Sequence, residues 1–160
     1  MKNLIIRILL LVISILAAHV TFAQEASKVE KAVDAMVSKY EGVAGVRSMK
    51  LVKGGGLKIM KAMLNKEFGK TFMKGVTGII VMDYSEASQE TCEALHKDLD
   101  GFRTLLQEFN LNGEEEFADN DYIRCFVSEA NGELSDFLVA VEQGDSKAFM
   151  YMAGKIIIEE

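Results

Sequence analysis

The chain has 160 residues, of which 49% are hydrophobic, and its 24 acidic residues outnumber 18 basic ones. The formal net charge of −6 argues against general nucleic-acid affinity, which requires a basic surface. The chain contains two cysteines, and His96 is the only histidine beyond residue 23. A single histidine excludes a multi-histidine metal site.

The first 23 residues are predicted to be a secretory signal peptide. Lys2 and Arg7 flank the start of an apolar run from Leu4 to Val20, and Thr21-Phe22-Ala23 is a pattern that signal peptidase could cut. An uncleaved anchor is the alternative, because the run is nearly long enough to span a bilayer. No cysteine directly follows the run, so a lipoprotein anchor has no attachment site. We expect a periplasmic or extracellular protein with one domain over residues 24–160.

The chain beyond the signal segment shows helix and strand patterns in alternation. In chain order the periodicity first predicts a helix over Ser27–Tyr40 and a strand over Val43–Val52. A basic amphipathic helix over 57–74, with a break near Gly69, and a strand over Thr77–Met82 follow. After Ser85 comes a long helix whose apolar stripe runs from Cys92 to Phe109, with a kink at Gly101. An acidic loop containing Glu114, Glu115 and Glu116 follows. It leads into the C-terminal part of the chain.

Residues 121–158 are predicted to form three antiparallel strands. Asn131-Gly132 is a strong signal for a two-residue hairpin, and Gly144-Asp145 separates the second strand from the third. The whole chain therefore predicts an α+β fold, in which an antiparallel sheet with a C-terminal three-stranded meander packs against amphipathic helices.

Strand alternation assigns the meander side chains to two faces if both turns contain an even number of residues. One face collects Tyr122, Arg124, Phe126, Phe137, Val139, Val141, Met150 and Met152, and the other collects Ile123, Cys125, Val127, Leu138, Ala140, Phe149, Tyr151 and Ala153. Both sets are largely apolar, whereas a meander covered on one side alternates apolar with polar residues. Either helices cover both faces, or one face is a contact surface.

The sequence contains few residues suited to catalysis or metal binding. Cys92 and His96 stand four apart on a predicted helix and could supply half a metal site, but a buried cysteine beside an exposed histidine explains the pair more simply. Nucleophile-elbow, phosphate-loop and zinc-protease motifs do not occur. We therefore predict no catalytic residue, metal or cofactor, and a non-enzymatic protein.

The two cysteines raise the question of a disulfide in an exported chain. Cys92 lies on the stripe of the long helix and Cys125 on one face of the meander, so a bridge would place that helix over that face. Two buried free thiols are an equal alternative.

The C-terminal segments LDGFRTLLQEF and NDYIRCFVSEANGELSDFLVAVEQGDSKAFMYMAGKIII carry a family resemblance. With the signal segment, the early helix and the lysine-bearing middle segment, they resemble a family of small exported Bacteroidetes proteins, domain-of-unknown-function family 4252. The matching features are a helix, an acidic loop, three strands and a late Gly154. Many members of the family look like lipoproteins, and this chain departs from them in lacking the lipobox cysteine. The resemblance implies no activity and no functional residue.

Three functional hypotheses remain open. The first is an envelope protein that binds another envelope component or itself through Phe126, Phe137, Met150 and Met152, since methionine-rich surfaces adapt to partners; ordinary core packing is its alternative. The second is a membrane-surface protein that uses Lys58, Lys61, Lys66, Lys70 and Lys74. Its preferred alternative is that the apolar stripe of this helix packs on the sheet while the lysines face water. The third is an enzyme with a composite site that no sequence motif reveals.

Overall fold

The computed structural model describes residues 26–52, 54–109, 121–130 and 133–157. Its elements, in chain order, are α1 (Ala26–Tyr40), β1 (Arg47–Leu51), α2 (Gly55–Phe68), β2 (Val76–Asp83), α3 (Gln89–Asp100), a 3₁₀ turn (Gly101–Thr104), β3 (Gln107–Phe109), β4 (Tyr122–Ala130), β5 (Glu133–Gln143) and β6 (Ser146–Ile156). The predicted signal segment 1–23, the acidic loop and the Asn131-Gly132 turn lie outside the described residues.

The strands form one six-stranded sheet in the order β1-β2-β6-β5-β4-β3, and every neighbouring pair is antiparallel. Strands β4, β5 and β6 are consecutive neighbours, so the predicted α+β class and its C-terminal meander are confirmed. The pairs Ala130–Glu133 and Gln143–Ser146 leave two residues for each connection, as the turn dipeptides predict. Within the described ranges, every helix falls short of the length or apolarity that a bilayer crossing requires.

Helices pack on both faces of the sheet. The first, called the α1/α3 face, carries Ile80, Met82, Phe126, Leu138, Ala140, Phe149, Tyr151 and Ala153, which pack with Val29, Val33 and Met36 of α1 and with Cys92, Leu95 and Leu99 of α3. The second, called the α2 face, carries Ile79, Ile123, Cys125, Val127, Phe137, Val139, Val141, Met150 and Met152, which form a cluster with Leu57, Leu64, Phe72 and Met73. Both faces are therefore core, which explains why strand alternation in the sequence is apolar on both sides.

Register shifts in three strand pairs lie side by side across the sheet, and we call them the bulge row. The shifts lie between Val76 and Gly78 in the β2–β6 pairing, between Ser135 and Phe137 in β5–β6, and between Phe126 and Ser128 in β4–β5. Gly154 and Asp136 stand at this row with φ of +92° and +54°. Each shift has the character of a β-bulge, which inserts one residue and reverses the alternation beyond it.

The bulge row corrects the predicted faces of β4. Phe126 pairs with Leu138, and Cys125 pairs with Val139, so Phe126 lies on the α1/α3 face and Cys125 lies on the α2 face. The predicted assignment counted an even turn and no bulge, and it is right for β5 and β6 but inverted for β4. One inserted residue in β5 accounts for the inversion, because the side-chain period of a strand is two.

Two helices are shorter than predicted. Gly69 ends α2 with a φ of +112°, which favours glycine, so residues 69–75 form turns rather than the end of a helix. The predicted long helix ends at Asp100, and the chain continues as the 3₁₀ turn and the edge strand β3. Phe102 stays on the α1/α3 face, whereas Phe109 joins the α2 face. The prediction of one helical stripe that continues to Phe109 is therefore wrong beyond Gly101.

Candidate functional site

Helix α2 has an inward side that belongs to the core. Leu57 and Leu64 are buried, and Met60 is partly buried against the same cluster. These positions follow helical spacing and form the stripe that the sequence predicts. Phe72 continues the cluster from the following turn. The inward side therefore attaches α2 to the sheet.

The outward side of α2 is apolar as well. Ile59 is 64% exposed and Met63 is 39% exposed. Their spacing of four residues places them one above the other on one side of the helix, together with exposed Ala62 and Lys66. Because scattered single apolar residues are normal on surfaces, the informative feature is that two large ones are adjacent.

The other exposed large apolar side chains of the described residues are Met49, Val52 and Ile157. Met49 of β1 is 51% exposed, and Val52 follows β1 at the surface. A Cβ added to Gly56 would lie 3.0 Å from Leu51, so the start of α2 lies against this edge strand. Ile157 is exposed next to the turns that follow α2, and its N–H donates to the Phe72 carbonyl at 3.2 Å.

Five lysines lie on α2 and its following turns: Lys58, Lys61, Lys66, Lys70 and Lys74. Within the described ranges, no carboxylate forms a salt bridge with any of them, whereas Lys39, Lys50 and Lys155 are paired with Asp98, Asp34 and Glu133. We call these five lysines, with Met49, Val52, Ile59 and Met63, the α2 surface. It combines lysines that form no salt bridge with a described carboxylate and exposed apolar side chains.

A polar cluster, separate from the α2 surface, lies between α3 and the meander on the α1/α3 side of the sheet. His96 Nε2 is hydrogen-bonded to Glu142, and the His96 ring stacks on Tyr122 with centroids 3.9 Å apart. Tyr84 is fully buried near Glu142, and burial together with that carboxylate raises the pKa of its hydroxyl. This arrangement fixes α3 to β4 and β5 through polar contacts.

Arg124 extends the polar cluster toward β3. Its side chain is only 11% exposed, and it donates to Glu108 at 2.7 Å and to Asp100 at 2.9 Å. Burial raises the pKa of Glu108, but hydrogen bonds from Arg124 and Arg103 outweigh burial and leave that pKa below its usual value. The guanidinium is therefore fully occupied in joining α3 to the edge of the sheet.

The half metal site that Cys92 and His96 could supply gains no further ligand from the described residues. Among the described residues, no group of three or more histidine, cysteine, aspartate or glutamate side chains could hold a metal ion. His96 contacts Glu142, while Cys92 Sγ accepts a hydrogen bond from Lys147 Nζ at 3.3 Å. The two side chains therefore serve different contacts.

A buried carboxyl marks the bulge row. Asp136 is 1% exposed, and it accepts a hydrogen bond from the Tyr151 hydroxyl at 2.5 Å. Burial raises the pKa of this carboxyl, despite the hydrogen bonds from Tyr151 and Ser135. The contact joins adjacent strands β5 and β6 where their alternation changes.

The structure decides between the two alternatives for the cysteines. Cys92 and Cys125 are both buried free thiols, and they lie on opposite faces of the sheet. A disulfide requires Cβ atoms about 4 Å apart, which the intervening sheet prevents. The alternative of two buried free thiols is confirmed, and the bulge explains it because it turns Cys125 away from α3.

The structure also corrects the predicted binding face. Phe126, Phe137, Met150 and Met152 are all buried, and Phe126 lies on the opposite side of the sheet from the other three. The two methionines pack in the cluster that α2 joins, so they belong to the core. The five predicted lysines remain available, and Ile59 and Met63 were missed because only the inward stripe was considered.

A shallow groove of about 340 Å³ runs between α1 and the end of α3. It is lined by Ala32, Ala35, Met36, Lys39, Asp98, Gly101, Phe102 and Leu105. Lys39 and Tyr40 both contact Asp98 beside it, at 2.6 and 2.7 Å. Neither His96 nor Glu142 lines this groove, so the polar cluster and the groove are separate features.

Comparison of the chain with protein-family models, with curated proteins and with solved structures found no match.

Proposed function

We propose that this protein is an exported, non-enzymatic envelope protein that binds an anionic membrane surface through the α2 surface. The observation that carries the proposal is the coincidence of exposed Ile59 and Met63 with five lysines that no described carboxylate neutralises. An interfacial helix needs both features on one side: apolar groups that enter the acyl boundary and cations that meet the headgroups.

The charge distribution supports this choice of surface. The whole chain has a net charge of −6, which opposes approach to an anionic bilayer. Residues 54–75 nevertheless contain five lysines and a single glutamate, Glu67. The segment that contains α2 is therefore locally positive, opposite in sign to the net charge of the whole chain.

The expected affinity follows from the same residues. A lysine close to an anionic membrane surface contributes about 1 kcal/mol, and each buried methylene contributes about 0.8 kcal/mol. Insertion of Ile59 and Met63 therefore adds the free energy of burying several methylenes to the electrostatic attraction of the nearest lysines. The helix is already anchored to the sheet by its inward side, so binding requires no folding step.

Vesicle co-sedimentation tests the proposal. The processed protein, with the predicted N-terminus Gln24, is mixed with vesicles of zwitterionic lipid alone and with vesicles that contain anionic lipid. We expect binding to the anionic vesicles, a steep fall in binding with salt, and at least a tenfold loss in the variant K58E/K61E/K66E. The double variant I59S/M63S should weaken the binding that persists at high salt.

A matched charge reversal provides the control. Lys28, Lys31 and Lys97 are exposed on α1 and α3, which lie on the other side of the sheet. The variant K28E/K31E/K97E makes the same change in net charge and should retain most of the binding. Equal losses in both triple variants would reduce the effect to net charge, and no loss in K58E/K61E/K66E would refute the role of the α2 surface.

Export is tested separately. Residues 1–23 have the pattern of a signal peptide, and cleavage would produce an N-terminus at Gln24. N-terminal sequencing of the protein recovered from the envelope fraction measures this directly. Recovery in the cytoplasm with Met1 retained would contradict export without bearing on vesicle binding in vitro.

A further inference from the structure

A thiol and an amine are in direct contact between α3 and β6. Cys92 Sγ and Lys147 Nζ are 3.3 Å apart, although the two residues are 55 positions apart in the chain. Cys92 is 1% exposed in the first half of α3, whereas Lys147 is half-buried near the start of β6. The pair therefore lies just beneath the surface, with the lysine on its outer side.

The backbone of Lys147 is held in place. Its N–H donates to Ser85 Oγ at 2.9 Å, and its carbonyl accepts from the Tyr84 N–H at 3.0 Å. Glu142 is the residue directly opposite Lys147 in the β5–β6 pairing, but its carboxylate bonds to His96 instead. Among the described residues, the lysine forms no salt bridge, and its Nζ is directed to the sulfur.

We propose that Cys92 and Lys147 are the site of an oxidative crosslink, in which a single oxygen atom bridges Sγ and Nζ. The oxidant is hydrogen peroxide, a molecule small enough to reach a site beneath a half-buried side chain. Cysteine oxidation through a sulfenic acid is the ordinary first step of such chemistry. The neighbouring amine then provides the second partner.

The reaction balances with two molecules of peroxide. The first oxidises the thiol: the S–H bond and the peroxide O–O bond break, an S–O bond forms, and the products are a sulfenic acid and one water. Lys147 gives its ammonium proton to solvent, and the second peroxide then oxidises the amine nitrogen. The sulfenic O–H, one N–H and the O–O bond of the second peroxide break, an O–N bond forms, and two waters leave. Sulfur and nitrogen are each oxidised by two electrons.

The bridge would join the helical layer covalently to the sheet. It closes the chain between α3 and β6, so it restricts the unfolded state as a disulfide does. We expect the oxidised protein to unfold at a higher denaturant concentration than the reduced protein. This effect does not depend on the α2 surface, which lies on the other side of the sheet.

The test is peroxide titration of the purified protein followed by intact mass spectrometry and peptide mapping. We expect a product that has gained one oxygen and lost two hydrogens, linked between the peptides that contain Cys92 and Lys147, and reversed by a thiol reductant. The variant K147R keeps the positive charge but removes the primary amine, and it should yield no linked product. Cys125 is a matched internal control, because it is buried on the α2 face and should stay unlinked.

Three results would overturn the proposal. Peroxide could oxidise Cys92 to acids of increasing oxygen content in the wild type and in K147R alike, which would show that the lysine takes no part. A linked product that has lost two hydrogens without gaining oxygen would be a direct S–N bond. An unchanged mass at peroxide levels that oxidise exposed methionines would show that the site is closed to the oxidant.

Discussion

Replacing Gly154 by alanine should test the bulge row that divides the sheet. Gly154 has a φ of +92°, and a Cβ at this position would lie 2.3 Å from the Gly75 carbonyl oxygen and 3.1 Å from the Thr77 amide nitrogen. Backbone atoms cannot move aside as a flexible side chain can. The Lys155 N–H donates to the same Gly75 carbonyl at 3.0 Å, so a shift of this oxygen would also disturb a hydrogen bond between strands.

The cost of Gly154→Ala has two parts. Placing an L-residue at a positive φ costs about 1–2 kcal/mol, and forcing an extra carbon into a packed position costs about 1–3 kcal/mol more. Gly42 separates them, because its φ is +79° and nothing lies within 4 Å of a Cβ added there. We therefore expect Gly42→Ala to lose about 1–2 kcal/mol and Gly154→Ala about 2–5 kcal/mol.

Urea unfolding followed by circular dichroism measures both variants. The midpoint should fall further for Gly154→Ala, with a slope that matches the wild type if the unfolded surface is unchanged. A difference between the two variants below about 0.5 kcal/mol, which is within ordinary surface effects, would show that the close approach of β6 to Gly75 does not constrain the sheet.

Two further predictions concern buried charge. The raised pKa of Asp136 means that its stabilising contribution is complete below the unfolded pKa near 3.9 and is lost as pH rises through the folded pKa. The free energy of unfolding of the wild type should therefore fall relative to Asp136→Asn by up to about 1.4 kcal/mol per pH unit in that window, and parallel pH profiles would contradict this. Arg124→Met should lose about 1–3 kcal/mol at neutral pH, because it leaves the half-buried Glu108 carboxylate without its main partner. Because the pKa of Glu108 is lowered, this loss should shrink as pH falls through that pKa, and a loss that stays constant down to about pH 2 would exclude the ion pair as its cause.

The sequence predicted the elements better than the relations between them. Helical and strand periodicity located α1, the two middle strands and the meander, because each segment buries a face that its own spacing defines. The turn dipeptides also fixed the connections of the meander. What failed was the side of the sheet on which Cys125 and Phe126 lie, since one inserted residue in a neighbouring strand reverses both. Gly154 inside a strand pattern was the available signal, because an isolated strand glycine often marks a bulge.

The candidate surface was predicted in part. Charge and spacing identified the five lysines, but the sequence alone could not decide whether their helix was core, surface or both. The predicted stripe consists of Leu57, Met60, Leu64, Phe68 and Phe72, and it leaves out the apolar residues Ile59 and Met63. Only the position of the sheet shows which side of α2 is covered. Likewise the contact of Cys92 with Lys147 depends on how β6 meets α3, and no local pattern contains that information.

The stability of the fold and the proposed membrane binding use different residues, and this makes the binding hypothesis easy to test. The ion pairs that join elements of the structure use Lys39, Lys50 and Arg124, whereas the lysines of the α2 surface form no salt bridge with a described residue. Lys58 and Lys66 are exposed and Lys61 is half-buried, and surface side chains that form no salt bridge with a described residue contribute within about 0.5 kcal/mol to folding. Charge reversal at Lys58, Lys61 and Lys66 should therefore leave the unfolding midpoint nearly unchanged while it removes the attraction to anionic lipid. A variant that lost binding and stability together would show instead that α2 had detached from the sheet.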